Sequence, residues 1–269
     1  MTPVATGPLA TLTTAWFDRY CRFALWRHFH AVRVYRDDAS SLSVIPSAAE
    51  GPRRGSRVEE RDQARSFDSP RSLRMTEGTP RIVVAATHQS FWDGIVLGDL
   101  LRRFGWRRRF VMIDQKQVDR HPFFPRIGGF GVDLDDPADR RRAIGYASSL
   151  LREANEPAAL VIFPQGRIEP DDADLSAVSR SPELIARRAD APVLHVAIRY
   201  RFWFAQRPEV LVATGDDLPS ARVILDDACR DFAAGQVLVR GRRSIKDWRL
   251  SGRGHAAPDE RERQLVEDV

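Results

Sequence analysis

Five short apolar runs with no charge inside them constrain the fold of this chain more than anything else in it: Ile82 to Ala86, Phe110 to Ile113, Ala158 to Phe163, Pro192 to Ile198 and Val210 to Ala213. Each has the length of a strand, and the lack of polar alternation points to strands covered on both faces. Between them lie segments with apolar residues at three- and four-residue spacing: Gly94 to Leu101, Arg140 to Ala154, Pro182 to Ala189 and residues 221–238. That spacing predicts helices. Strand–helix alternation over this length predicts an α/β fold: a single domain with a mixed central sheet flanked by helices on both faces.

At 269 residues the chain has room for one full core. Composition divides it into an N-terminal helical segment at 1–36, an insertion at 37–80, a core at 81–248 and a charged, disordered tail at 249–269. The insertion is rich in Ser, Arg, Asp, Glu, Pro and Gly, and Phe67 is its sole aromatic residue. It carries too little apolar surface to offset its ordering entropy and is predicted to be disordered, either a passive insertion at a tolerant loop or a regulatory one. In the N-terminal segment Leu9, Leu12, Trp16, Phe17, Tyr20, Phe23, Ala24, Trp26 and Phe29 gather on one broad face, with Arg19, Arg22 and Arg27 between them. Two readings stay open: a helix packed on the domain, or an interfacial helix with aromatics at headgroup level and arginines toward anionic lipid. Ala31 to Tyr35 alternates as a short strand.

Neither a secretory signal nor a run of about 18–20 apolar residues is present, so any membrane contact is expected to be peripheral, on the cytoplasmic face. Cys21 and Cys229 form no metal or redox spacing, which fits a reducing compartment. Of the 42 basic residues only Lys116 and Lys246 are lysine. Arginine grips phosphate bidentately, although a codon bias produces the same excess. No helix-turn-helix, zinc or RNA-binding pattern appears, and no nucleic-acid partner is expected.

Two polar clusters stand at strand ends, where α/β folds place chemistry. The first is Thr87-His88-Gln89-Ser90-Phe91-Trp92-Asp93. On one continuous helix His88 and Asp93 would be roughly 140° apart around the axis, so they converge only if His88 precedes the helix and Asp93 lies in its first turns. A carboxylate that fixes the tautomer lets such a histidine remove a proton from a hydroxyl. Ser90 is placed to cap the helix, and it lacks the glycine elbow of a nucleophilic serine. One His and one Asp are too few ligands for a metal. By themselves these residues support an acid/base site and no more. The second cluster is Pro164-Gln165-Gly166-Arg167, where a turn at Gly166 can present N–H groups to an anion. His195, on an apolar run, reads as a satisfied core histidine. His121 and the Phe123-Phe124 pair read as loop packing or as the wall of an apolar pocket.

Thr87-His88-Gln89-Ser90-Phe91-Trp92-Asp93 resembles the first block of the glycerolipid acyltransferases, the H-x4-D group that includes 1-acylglycerol-3-phosphate acyltransferase; the family usually has Asn where this chain has Thr87. Lys116, Pro122-Phe123-Phe124 and Gly128-Gly129-Phe130-Gly131-Val132-Asp133 resemble the second block and its approach. Phe163-Pro164-Gln165-Gly166-Arg167 is similar to the third, and Ala191-Pro192-Val193-Leu194-His195-Val196 to the fourth. The resemblance spans about Ile82 to Gly215.

It implies transfer of an acyl group from acyl-CoA or acyl-carrier protein to a lipid hydroxyl, with His88 as general base and Asp93 as its orienting partner, and with no metal or cofactor. It also implies substrate contacts at Ser90, Lys116, Gly129, Pro164, Gln165, Gly166 and Arg167. The chain departs from the family where the acceptor's phosphate is bound. Leu134 stands at the place of the second-block arginine, Gln165 replaces the third-block glutamate, and Arg167 comes one place early. Three readings follow: an acyltransferase for 1-acylglycerol-3-phosphate or a related lysophospholipid at a membrane surface; an acyltransferase for a non-phosphorylated acceptor such as a glycosylated isoprenoid, carotenoid or other lipid alcohol; and a catalytically silent lipid-binding protein.

Overall fold

All five apolar runs lie in one eight-stranded sheet in the computed structural model, which describes residues 1–36, 79–203, 205–230 and 236–241. In chain order the strands are β1 (Ala31–Arg36), β2 (Arg81–Ala86), β3 (Arg108–Asp114), β4 (Gly129–Val132), β5 (Ala158–Ile162), β6 (Val193–Arg201), β7 (Glu209–Gly215) and β8 (Gln236–Arg240). Their order across the sheet is β4-β3-β5-β2-β6-β7-β1-β8. The first five are mutually parallel, β7 runs against β6, β1 runs with β7, and β8 runs against β1. The sheet is therefore mixed, as the sequence predicts. Of the expected insertion only Thr79 and Pro80 fall among the described residues, and the expected tail lies outside them.

The helices are α1 (Pro8–His28), α2 (Trp92–Arg103), α3 (Gln115–Arg120), α4 (Pro137–Arg152), α5 (Ser181–Ala189) and α6 (Leu218–Arg230). Strand alternation sends neighbouring side chains to opposite layers. Ile82 and Val84 pack with Leu25 of α1 and Ile95, Val96 and Leu100 of α2. Val83 packs on the other face with Ala147 and Leu151 of α4 and Ile185 of α5. Leu211 and Ala213 of β7 meet Ala221 and Leu225 of α6. Each buried Val, Leu or Ile contributes roughly 1.5–3 kcal/mol by leaving water.

Connections from β2 and β5 give the sheet its crevice. These strands are neighbours, yet α2 leaves β2 toward one face while α5, which follows β5, covers the other. A crevice opens at the carboxyl ends of such a pair. α1 begins after Gly7, whose φ of 101° turns the chain, and Pro8 supplies a preset φ at its first position. Arg27 and His28 in its last turn suit the negative end of its dipole. One side of α1 is buried through Cys21, Ala24 and Leu25, while Leu9, Leu12, Trp16, Tyr20, Phe23 and Trp26 stay exposed on the other.

The helix predicted at 221–238 is corrected. α6 spans Leu218–Arg230, and Gln236–Arg240 is β8, paired with β1. Val237 and Val239 are β-branched and alternate with Gln236, Leu238 and Arg240, a period-two pattern that suits an edge strand rather than a further helical turn.

Candidate active site

His88 and Asp93 meet at the carboxyl end of β2. Thr87 ends the strand: its N–H donates to Val196 O and its hydroxyl accepts the Ile198 N–H, at 3.0 and 2.9 Å. The short β-branched side chain thus continues the contact between β2 and β6 by one step where the family usually has Asn. Residues 88–91 then form a loop, and Asp93 enters as the second residue of α2. Ser90 Oγ accepts the Trp92 N–H at 3.3 Å, which serves a helix donor left without an intrahelical partner.

Asp93 is fully buried, and its two oxygens are used differently. Oδ2 accepts the N–H groups of Gln89 (2.7 Å) and Ser90 (2.9 Å) and also lies 2.9 Å from His88 Nδ1. An oxygen that takes two amide donors is an acceptor, so the His88 proton sits on Nδ1. In the neutral imidazole Nε2, on the ring edge away from the carboxylate, is then the acceptor nitrogen. Oδ1 accepts the Tyr200 hydroxyl at 2.5 Å. Burial, followed by the charge of Asp93, pushes the Tyr200 phenol above its ordinary value, so it is a neutral donor.

The loop after β5 closes the other side. The Phe163 ring stacks on His88, with centroids 4.1 Å apart and planes 19° from parallel. Gln165 Oε1 accepts the His88 N–H at 2.6 Å, and His88 O accepts the Glu169 N–H at 2.9 Å. Gln165 Nε2 donates to Glu169 Oε2 at 3.0 Å, and Arg167 Nε to Glu169 Oε1 at 2.7 Å. Arg167, then Gln165, hold the Glu169 carboxyl below the usual range. A carboxylate is therefore present four residues beyond the position where the family's third block has one. Gln89 Nε2 donates to Asp171 Oδ1 at 2.7 Å, and Asp171 ion-pairs with the buried Arg199.

The predicted site residues divide into two groups. His88, Ser90, Asp93 and Gln165 form one hydrogen-bonded constellation, continued by Pro164, Gly166 and Arg167 on the same loop as Gln165. Gly166 turns with φ 73°, and a Cβ there would lie 3.5 Å from Leu134, which places the apolar substitute for the family arginine against the third block. Lys116 and Gly129 stand apart. Lys116 is 72% exposed in the first turn of α3 and pairs with Asp135 at 3.0 Å. Gly129 is level with Val111 on β4, three strands from β2 and so roughly 14 Å away at about 4.8 Å per strand. Packing accounts for it, since a Cβ there would meet Ile113 Cδ1 at 2.8 Å and Phe124 O at 3.0 Å. His195 pairs with Glu183 at 3.5 Å.

The sequence reading missed Tyr200, Glu169, Asp171 and Arg199. One weak signal existed: Val196, Ile198 and Tyr200 share a strand face, which puts the tyrosine in the layer that holds α2 and Asp93.

This geometry allows proton transfer at Nε2 of a histidine held in one tautomer. A family model described as Acyltransferase matches residues 55–199. The chain belongs to the acyltransferase family. The resemblance to the acyltransferases is thereby borne out, and the chemistry is acyl transfer. Among solved structures, the 1-acyl-sn-glycerophosphate (LPA) acyltransferase PlsC from Thermotoga maritima is similar at 15% identity and a TM-score of 0.42, with 82% of this chain and 79% of that chain covered. No curated protein matches the chain. No helix among the described residues is long and apolar enough to cross a membrane.

Proposed function

We propose that this acyltransferase moves a fatty acyl group from acyl-CoA or acyl-carrier protein to the hydroxyl of 1-acylglycerol-3-phosphate or a related lysophospholipid, with His88 as general base. The observation that carries the reading is the Nδ1 contact to a buried carboxylate oxygen that already accepts two amide donors. Nε2 takes the proton of the acceptor hydroxyl as its oxygen attacks the thioester carbonyl. Asp93 stabilises the imidazolium that forms. Collapse of the tetrahedral intermediate breaks the C–S bond, and the imidazolium returns its proton to the departing thiolate. The product is an ester and a free thiol, and the base is restored.

A second acceptor class is favoured by one observation. Leu134 fills the place of the family's phosphate-binding arginine, while Arg167 and Lys116 are each paired with a carboxylate. A phosphate there would have to displace Glu169 or Asp135, whereas an uncharged lipid alcohol would not. Arg140 and Arg141, exposed at the start of α4, are the cations that favour the phosphorylated acceptor.

We place the protein on the cytoplasmic face of the membrane through α1. Leu9 is 75% exposed and Trp16 63% exposed on the stripe away from the sheet, with Arg19, Arg22 and Arg27 beside it. Such a helix lies in the headgroup region.

The test presents the purified protein with labelled acyl-CoA or acyl-carrier protein and a panel of phosphorylated and uncharged acceptors, alongside His88→Ala. Transfer to lysophosphatidic acid at an enzymatic rate removes the second acceptor class. Transfer only to uncharged alcohols removes the first. Equal rates for wild type and His88→Ala remove His88 from the mechanism, and no transfer to any acceptor points to a silent lipid-binding protein.

A further inference from the structure

β6 presents Arg199 and Tyr200 in succession, and strand alternation sends them to opposite faces of the sheet. Arg199 reaches Asp171, which holds Gln89, and Tyr200 reaches Asp93. The strand beside β2 thereby grips the loop between His88 and Asp93 from both sides. We propose that Tyr200 is a positioning residue of the acyl transfer, acting through Asp93 Oδ1 to keep Oδ2 on the His88 ring. This rests on the reading of His88 as the general base.

The division of donors on Asp93 carries the inference. Oδ2 is met by His88 Nδ1 and two loop amides, all within five residues of Asp93. Those contacts move with the loop. Oδ1 has one donor among the described residues, and it comes from a different strand 107 residues away. Without it, a fully buried carboxylate oxygen has no partner, which is costly for a charged acceptor. Rotation about Cβ–Cγ or protonation of the carboxyl relieves that cost. Rotation takes Oδ2 off the imidazole, and protonation removes the counter-charge of the imidazolium.

The tyrosine is itself fixed. Its ring lies 5.8 Å from Phe29, which caps the C-terminus of α1, and Phe29 meets Trp92 edge-on at 5.2 Å. The other titratable groups around the loop are His28 against Trp92, Glu169 bonded to Gln165 and Arg167, and Asp171 paired with Arg199. Each of these has its own partner, and none of them donates to Asp93 Oδ1.

Tyr200→Phe keeps the ring and its packing and removes only the hydroxyl. In the full chain, kcat is expected to fall about 10- to 100-fold, the scale of one lost hydrogen bond to a charged group, with KM for donor and acceptor within about twofold of wild type. A purely structural role would lower the unfolding midpoint and leave kcat per folded molecule unchanged, a result that overturns the proposal. A rise in KM alone overturns it as well, by making Tyr200 a binding residue. Proton NMR of the His88 Nδ1–H resonance needs no substrate. A downfield signal in wild type that moves or broadens in Tyr200→Phe supports the link, and an identical signal in both proteins overturns it. Because that measurement is independent of turnover, it separates failure of this inference from failure of the general-base reading. If Tyr200→Phe folds poorly, Phe29→Leu loosens the tyrosine ring without removing its hydroxyl and is expected to broaden the same resonance; an unbroadened resonance overturns the proposal.

Discussion

The two ends of the parallel strands make an instructive contrast. At the amino end lies a groove of about 770 Å³ between α1, the start of β3 and the turn before β4, with Arg102, Arg103, Arg107, Arg108, Arg109 and Arg126 in its lining. At the carboxyl end His88 is 21% exposed beside a fully buried Asp93. Volume and charge favour the first end, but the arrangement favours the second. Arg109 grips Asp18 on α1 at 2.7 and 2.9 Å, and Arg102 and Arg103 both pair with the buried Asp99. Arg109 thus fastens α1 to the sheet, while Arg102 and Arg103 neutralise a buried carboxylate within α2 itself. At the other end four donors converge on the one buried carboxylate of Asp93, and they hold the His88 ring in one orientation. Directed polarity, more than cavity size, singles out the carboxyl end as the candidate site.

The largest expected effect tests that directedness. Asp93→Asn replaces an acceptor oxygen by an amide, which either turns N–H groups toward Gln89 N and Ser90 N or leaves His88 Nδ1 facing a poorer acceptor. On the order of a 10²–10⁴-fold loss in kcat is expected, as for removal of general-base function. Steady-state rates with a circular-dichroism melt check it. A variant within tenfold of wild type would show that the carboxylate does not act through the imidazole.

The amino end should respond in the opposite way. Arg109→Ala breaks a bidentate pair whose side chains are 12% and 25% exposed. It should lower stability by about 1–3 kcal/mol, the range for hydrogen bonds to charged groups, and leave kcat within about twofold. Urea unfolding and turnover are the two measurements. A large fall in kcat with unchanged stability would dissolve the division between the two ends.

Much of this contrast is legible in the sequence, but unevenly. Charge-free runs such as Ile82 to Ala86 can only be covered strands, so the sheet was predictable from them. His88, Asp93 and Gln165 announce themselves because polar residues rarely follow such runs without cause. Tyr200 and Arg199 do not, since each reaches the site only through the pairing of β6 with β2, a contact across more than a hundred residues that no local pattern encodes. Gly129 is the complementary case. Three glycines close together suggest backbone brought near another surface, and beside Gly129 that surface is Ile113 and Phe124 of the same chain. The end of α6 was misread because three-residue apolar spacing continues by chance into Val237-Leu238-Val239, whose β-branching favours pairing with β1.

Gln165→Glu is expected to have a smaller effect and sharpens the electrostatic side of the comparison. Either residue accepts the His88 N–H, but only the amide also donates to Glu169. A second carboxylate there replaces that bond by like-charge repulsion. The melting temperature should fall by a few degrees at neutral pH, in line with a loss of about 1 kcal/mol. Acidification toward pH 4 protonates one of the two carboxyls and should narrow the gap between variant and wild type. Melts across pH 4–8 measure it, and a gap that stays constant with pH would mean that the carboxylates do not face each other.

The smallest effect concerns how tightly the arginine end is packed. Cys21 lies on the buried side of α1, and burial, followed by the charge of Asp18, pushes its thiol up to about 12. The thiolate is the reactive form, so at pH 8 Cys21 stays a closed, protonated group. Cys229 is only partly buried, at 3.6 Å from Arg199. A disulfide reagent should therefore titrate Cys229 in the native protein and reach Cys21 only on unfolding. Arg109→Ala should hasten the second reaction if the Asp18 pair holds α1 down, because the same contact both fastens the helix and shields the thiol. An unchanged rate for Cys21 in that variant would assign the closure of this end to the apolar packing of Leu25 and Ala24 instead.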